Sequence, residues 1–166
     1  MLRIGLLQQR GWVRRSDGDF AGALEDLNRM IACAADIDQL RLEVMGLIDL
    51  SRFSLLFSDR RQSLPAAERA LARSRGLNDN VFLALVQGNL AILRLQLKGW
   101  RDEDAELCRQ AVKVIGETRD PKLLIRRDGI ESTLKFLSSD YRDCSDAAIH
   151  ATEFAQETGD AFLFAL

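Results

Sequence analysis

The sequence is short of cysteine, histidine and proline, and each shortage excludes a class of protein. The three cysteines, Cys33, Cys108 and Cys144, are far apart and form no CxxC pair, so neither a disulfide framework nor a zinc site is indicated. The single histidine, His150, has no cysteine or carboxylate at a metal-ligand spacing. The low content of proline and of aromatic residues favours helices over strands.

Catalytic and membrane signals are also missing. The chain has no GxSxG elbow, Walker loop, GxGxxG or HExxH motif, so we expect a protein that is not an enzyme and uses no cofactor and no metal. The net charge of −2 gives no field that would attract nucleic acid or an anionic membrane. No uninterrupted apolar run approaches the roughly 20 residues that cross a bilayer. Residues 1–7 do not resemble a signal peptide, and we expect a cytoplasmic location.

What the sequence does contain is a pattern that repeats every 40 or 41 residues. Aspartates that end polar loops and precede apolar runs recur at Asp38, Asp79, Asp120 and Asp160. Each is predicted to cap a helix, because its carboxylate can accept from free N–H groups of the first turn. Small residues recur in the middle of each first helix, at Gly11, Ser51, Ala91 and Ser132. Turns between paired helices end at Phe20, Arg60, Trp100 and Tyr141, where the aromatic members are expected to wedge between the two helices.

The three series together predict an all-α fold in a single domain, a right-handed superhelical solenoid of antiparallel helix hairpins. The predicted hairpins cover about residues 2–36, 38–77, 79–118 and 120–158, and residues 160–166 read as a truncated fifth helix. The chain is therefore expected to be a fragment of a longer array. Pro65 predicts that the second helix of the second hairpin starts near Ser63 or bends at Pro65. The first helix of the third hairpin is apolar nearly all round, which is typical of a buried inner helix.

The pattern resembles the tetratricopeptide repeat family. Gly11, Gly18, Phe20, Ala23 and Leu27 match the family's spacing in the first hairpin, and Tyr141, Ala148 and Ala151 match it in the fourth. The period is longer than the family's usual one of about 34 residues. The usual first-helix aromatic is replaced by Arg14, Ser54, Arg94 and Lys135. The longer period is similar to the variant in large bacterial regulators of the maltose-activator type.

The resemblance implies a non-enzymatic scaffold that binds a protein or peptide, as a sensor or regulatory segment of a bacterial signalling or transcription protein. First helices line the concave groove of such repeats. The residues that this implies as ligand-binding are Gln8, Trp12, Arg15, Asp49, Arg52, Asn89 and Arg126. Asn89 is the preferred functional candidate, and Trp100 is interpreted as structural.

Other interpretations remain open at the level of sequence. The apolar third hairpin could frame a pocket for a small-molecule or peptide inducer, and the C-terminal helix could mediate self-assembly into homo-oligomers. The recurring cations Arg14, Arg94 and Lys135 could meet an acidic partner, or their stems could cover apolar surface. The acidic cluster Arg101–Asp104 falls at a predicted helix start, where carboxylates interact favourably with the helix dipole.

Overall fold

The computed structural model describes residues 2–138, which contain seven α-helices and no strand. The all-α prediction is therefore confirmed for this part of the chain. The predictions for Tyr141, Cys144, His150 and Asp160, for the second helix of the fourth hairpin and for the fifth helix lie outside the described residues. The chain forms two compact units, Met1–Asn78 and Asp79–Leu166, and each is described by itself.

The first unit begins with an antiparallel helix pair. Helix α1 (Leu2–Ser16) and helix α2 (Phe20–Asp36) are joined by a tight turn in which Gly18 adopts a positive φ of 81°. Side chains with a second carbon avoid this region, which is why glycine suits it. Asp19 caps α2, since its carboxylate accepts from the backbone N–H of Gly22 at 2.9 Å.

The second pair of this unit consists of helix α3 (Leu40–Phe57) and helix α4 (Ser63–Ser74), linked by a single 3₁₀ turn, Arg60–Gln62. A second 3₁₀ turn, Arg75–Leu77, follows α4. The start of α4 at Ser63 confirms one of the two outcomes expected from Pro65, which lies in the first turn and so interrupts no helical hydrogen bond.

The prediction that Asp38 caps α3 is wrong. The residue that precedes α3 is Gln39, and its side chain makes no cap hydrogen bond. Asp38 instead terminates α2: it adopts a positive φ of 54°, and its N–H donates to the carbonyl of Ala35 at 3.1 Å. Asn78 has a φ of 50° at the matching place after α4, and Asp and Asn tolerate this left-handed conformation better than most residues. The aspartate series therefore mixes two kinds of helix end.

Helix α3 packs against α2 as well as α4. Contact with α2 is close at Gly46, where an added Cβ would lie 2.6 Å from Ile31 Cγ1 and 2.7 Å from Met30 Cε. Nearby, Ile4, Leu7, Met30 and Ala34 form a buried cluster against which Leu42 packs. The second pair is thus held to the first through α2 and not by α1 alone.

The second unit contains helix α5 (Asn80–Lys98), helix α6 (Asp102–Ile115) and helix α7 (Pro121–Leu137). The predicted caps at its two first helices are confirmed. Asp79 accepts from the N–H of Phe82 at 2.9 Å, and Asp120 accepts from the N–H of Lys122 at 2.9 Å. Pro121 occupies the first helical position, as expected.

Helix α5 forms the core of this unit. It pairs antiparallel with α6, and α7 packs against both. At Gly88 the three helices approach closely, because an added Cβ would lie 2.8 Å from Ala111 Cβ and 2.9 Å from Ile130 Cδ1. The predicted burial of α5 is confirmed by its buried residues, which occur on all sides of the helix and include Phe82, Leu85, Asn89 and Leu93.

Helix α5 is also the one helix within residues 2–138 that is long and apolar enough to cross a membrane by length and composition, with a mean hydropathy of 1.3. Its isolated polar residues had hidden this property from a search for unbroken apolar runs. Because 61% of the stretch is buried inside the structure, as in the core helix of a soluble protein, it is weak evidence for a membrane span.

The expected wedging of turn aromatics is wrong for the two that the structure describes. Phe20 is 39% exposed and Trp100 is 46% exposed. Phe20 stacks on Phe57 with ring centroids 4.9 Å apart and meets Phe53 edge-on at 6.4 Å. It therefore links α2 to α3, and does not plug its own hairpin.

Candidate interaction surface

Five of the predicted binding residues lie in the first unit. Gln8, Trp12 and Arg15 follow one face of α1 at helical spacing, with Gln8 exposed and the other two half-buried. Asp49 and Arg52 lie one turn apart on α3, and both are half-buried. The helix that packs against α3 in the described residues is α2, so these two sets belong to separate surfaces of α1 and α3.

Trp12 differs from its neighbours in one respect. Its indole Nε1 is buried and makes no hydrogen bond with the described residues, whereas its carbonyl accepts from the hydroxyl of Ser16 at 3.2 Å. A buried donor without an acceptor costs free energy, and such groups are rare. Trp12 is thus the predicted binding residue with the clearest unused hydrogen-bonding capacity.

The other two predicted residues lie in the second unit and are buried. Asn89 on α5 is 5% exposed and Arg126 on α7 is 4% exposed. Both take part in interactions inside the protein. A partner could touch only a small part of either side chain, so Gln8, Arg15 and Arg52 offer more accessible polar groups than the preferred candidate Asn89.

Sequence analysis missed a buried carboxylate that joins α1 to α2. Asp26 is fully buried and accepts from two arginines of α1. Arg10 Nε donates to Asp26 Oδ2 at 2.8 Å, Arg10 Nη2 donates to Oδ1, and Arg14 Nη1 donates to Oδ2 at 3.1 Å. The hydrogen bond from Arg10 lowers the pKa of Asp26, although burial acts in the opposite direction. The available signal was an aspartate three residues after Ala23, on the apolar stripe of α2.

The recurring cations are engaged within their own units. Arg14 binds Asp26, Arg94 lies 3.6 Å from Asp104, and Lys135 lies 2.8 Å from Glu131. Two of these pairs thus join a first helix to a buried aspartate of its partner helix. The series is therefore mainly a device within hairpins, which neither of the two sequence-based interpretations had anticipated.

A comparable ion pair connects α3 to α4. Arg73 Nη2 donates to Glu43 Oε2 at 2.7 Å, and Arg73 Nε donates to Glu43 Oε1 at 3.0 Å. Glu43 is 6% exposed, and the forked geometry is the one in which arginine binds carboxylates best. All three helix pairs of the described chain therefore contain an arginine–carboxylate contact between their helices.

The second unit has a cleft of about 390 Å³ on the side of α6 and α7. Apolar side chains of Trp100, Val112 and Leu134 form much of its lining. Its two cations are already paired, Arg109 with Glu106 and Lys135 with Glu131, both at 2.8 Å. The Nε1 of Trp100 donates to Asp102 at 3.0 Å, so the indole face is what Trp100 offers to the cleft.

The described cysteines are packing residues. Cys108 is fully buried, its Sγ lies 3.8 Å from the carbonyl of Gly88, and burial raises its pKa to about 12. A thiol held in this state is a poor nucleophile. Cys33 is half-buried. Within residues 2–138, no group of three His, Cys, Asp or Glu side chains is placed to hold a metal ion.

Residues 2–138 therefore define an all-α protein built from antiparallel helix pairs, whose accessible features are polar and apolar helix faces and one cleft. Comparisons with models of protein families and with curated proteins find no match to this chain.

Proposed function

We propose that the chain is a non-enzymatic scaffold of stacked helical hairpins that binds a protein or peptide partner. The proposal includes the solenoid architecture, the kinship with tetratricopeptide repeats and a cytoplasmic role as the sensor or regulatory segment of a bacterial signalling or transcription protein.

One observation carries the proposal: two first helices use equivalent positions to pack against the second helix that precedes them. On α3 these positions are Leu42, Gly46 and Phe53, which meet Met30, Ile31 and Phe20 of α2. Residues 81 positions further on are Leu123, Arg127 and Leu134 of α7. Arg127 lies against Gly116 at the end of α6, and Leu134 shares a cleft with Val112 of α6. Repeated use of one face is the packing rule of a solenoid.

The binding mechanism that we propose is recognition along the first helices. Trp12 would supply an apolar anchor and a free N–H, while Gln8, Arg15, Asp49 and Arg52 would hydrogen-bond to an extended peptide. Asn89 and Arg126 would act mainly by holding α5 and α7 in place. A ligand that spans several hairpins would stiffen them, because each hairpin is stabilised mostly by its neighbours.

The test is a selection of displayed random peptides against the immobilised chain, followed by titration of the labelled peptides. Trp12→Phe and Arg52→Ala are expected to weaken binding about tenfold or more, an effect typical of interface hot spots. Arg69→Ala, an exposed change on the second helix α4, is the control and is expected to leave affinity unchanged. Selected peptides that bind all three variants equally well would refute the assignment, provided that circular dichroism shows each variant folded.

A second candidate function, a receptor for a small-molecule inducer, is favoured by the cleft beside Trp100. Its volume of about 390 Å³ lies within the range of about 300–1,000 Å³ found for ligand pockets. Because its cations are paired, the ligand would be a neutral, largely apolar molecule. A thermal-shift screen of neutral aromatic compounds tests this idea, and hits that Trp100→Ala leaves unchanged would contradict it.

A further inference from the structure

Helix α1 has a second apolar side that the first unit leaves uncovered. Ile4 and Leu7 face α2 and are buried, whereas Leu2, Leu6 and Val13 are 83%, 62% and 49% exposed. At 100° per residue these three side chains lie together on a side of α1 far from Ile4 and Leu7. We call Leu2, Leu6 and Val13 the outer stripe.

The outer stripe is the repeat equivalent of a docking face that is already occupied elsewhere. Adding 40 to its numbers gives Leu42, Gly46 and Phe53, the residues through which α3 packs against α2. The same 40-residue step relates Phe20 to Arg60 and Gly11 to Ser51. A second helix of the α2 type covers these positions on α3, and no described residue does so on α1.

The charge of α1 indicates what kind of helix would fit. The helix contains four arginines, Arg3, Arg10, Arg14 and Arg15, and no acidic residue. Two copies of α1 would therefore repel each other if they paired through this side. Helix α2, in contrast, contains Glu25, Asp26 and Asp36 against a single Arg29, a net charge of −2 from three acids and one base.

We propose that the outer stripe of α1 docks an acidic amphipathic α-helix of the α2 type, presented by a partner or by a further helical hairpin. This inference rests on the stacked-hairpin architecture proposed above. The apolar ridge of the incoming helix covers Leu2, Leu6 and Val13, as Met30 and Ile31 cover Gly46. Its carboxylates lie near Arg3 and the exposed part of Arg10.

The probe is a labelled peptide with the sequence of residues 20–36, in which Cys33 is replaced by alanine, titrated with the full chain and followed by fluorescence anisotropy. Saturable binding below about 1 mM is expected. Leu6→Glu in the chain is expected to weaken it at least tenfold. The matched control is Leu56→Glu, the same substitution at a leucine that is 63% exposed on α3, and it is expected to change affinity less than twofold.

Absence of saturable binding, or equal loss with the two substitutions, would overturn the proposal. So would binding of the chain to vesicles rich in phosphatidylserine that depends on Leu6 when the peptide does not bind. Self-association that the peptide fails to displace, seen by sedimentation velocity, would also overturn it. Trp12 and Arg52 lie outside the outer stripe, so a failure here leaves the result of the peptide-display experiment intact.

Discussion

Asp26 shows what a single residue contributes to this molecule. Its carboxylate is fully buried and accepts from Arg10 and Arg14, so three charged groups fix the relation between α1 and α2. Helix α1 has only two buried residues within that pairing, Ile4 and Leu7. The ion pairs therefore have more influence on α1 than they would on a helix with a larger apolar face.

Replacement of Asp26 by asparagine is expected to lower the free energy of unfolding by about 1–3 kcal/mol, because the amide cannot accept from both arginines. Urea denaturation followed by circular dichroism measures the change. Asp36→Asn, an exposed position at the end of the same helix, is the control and is expected to change stability by less than about 0.5 kcal/mol. Equal midpoints for the two variants would show that the buried contact does not stabilise the hairpin.

The stabilising effect of Asp26 is expected to depend on pH. Its pKa in the folded chain is lowered, mainly by the hydrogen bond from Arg10, so the unfolded chain binds more protons between the two pKa values. The contribution is therefore complete above the unfolded value of about 4 and is lost as the pH falls through the folded value. The stability difference between wild type and Asp26→Asn, measured from pH 7 to pH 2, should shrink below about pH 4. A difference that is constant with pH would contradict this.

Two glycines offer a matched pair of substitutions. Gly5 has open space where a Cβ would lie, whereas a Cβ at Gly88 would meet Ala111 at 2.8 Å and Ile130 at 2.9 Å. Gly5→Ala is expected to raise stability by about 0.5–1 kcal/mol through helix propensity. Gly88→Ala gains the same propensity but is expected to lose about 1–3 kcal/mol to overpacking. Thermal unfolding of both variants tests the prediction, and a stabilising Gly88→Ala would show that α5, α6 and α7 are less closely packed.

The residue-level features that the sequence did not reveal have a common cause. Asp26 sits on an apolar stripe, and its role depends on arginines that only folding brings within reach. Gly5, Gly46, Gly88 and Gly129 recur at intervals of 41 or 42 residues, and this series was overlooked although it includes the close approaches at Gly46 and Gly88. The small-residue series at Gly11 and Ser51 was read instead. A glycine series is a visible signal, whereas a buried ion pair requires the structure.

At the level of helices, sequence patterns predicted much of what is observed. Polar loops with Asp79 and Asp120 located the starts of α5 and α7, because an aspartate before an apolar run has a clear capping role. Asp38 misled the same argument, since aspartate also suits the left-handed residue that ends a helix. The predicted wedging of Trp100 failed because hairpin turns lie at the surface, where an aromatic side chain can fold outward.

The helices differ in how strongly they are held. Helix α5 is buried on most of its surface, whereas α1 buries Ile4 and Leu7 and leaves its outer stripe exposed. Amide hydrogen exchange followed by mass spectrometry is therefore expected to show the slowest exchange in α5 and much faster exchange in α1. Asp26→Asn should accelerate exchange in α1 and α2 and leave α5 unchanged. Comparable protection of α1 and α5 in the wild-type chain would contradict this ranking.

For the whole molecule, the sequence predicted an all-α fold correctly and suggested a binding groove that no observation has yet tested. The helical period is encoded locally, by apolar spacing and caps, so it can be read from one chain. The partner is not encoded in this way, because the groove residues Gln8, Trp12 and Arg52 are ordinary types whose role depends on which surface they share. The two units, Met1–Asn78 and Asp79–Leu166, each contain helix pairs of the same plan.

The central claim is that helical hairpins stack, each first helix packing on the second helix before it. Paired cysteines test it most directly, in a chain whose Cys33 and Cys144 are replaced by serine. Gly46→Cys with Ile31→Cys should form a disulfide rapidly on mild oxidation, since a Cβ at position 46 falls within 3 Å of the side chain at position 31. Gly5→Cys with Ile31→Cys is the control and should remain reduced. Equal cross-linking of the two pairs, or none in the first, would contradict the stacked arrangement.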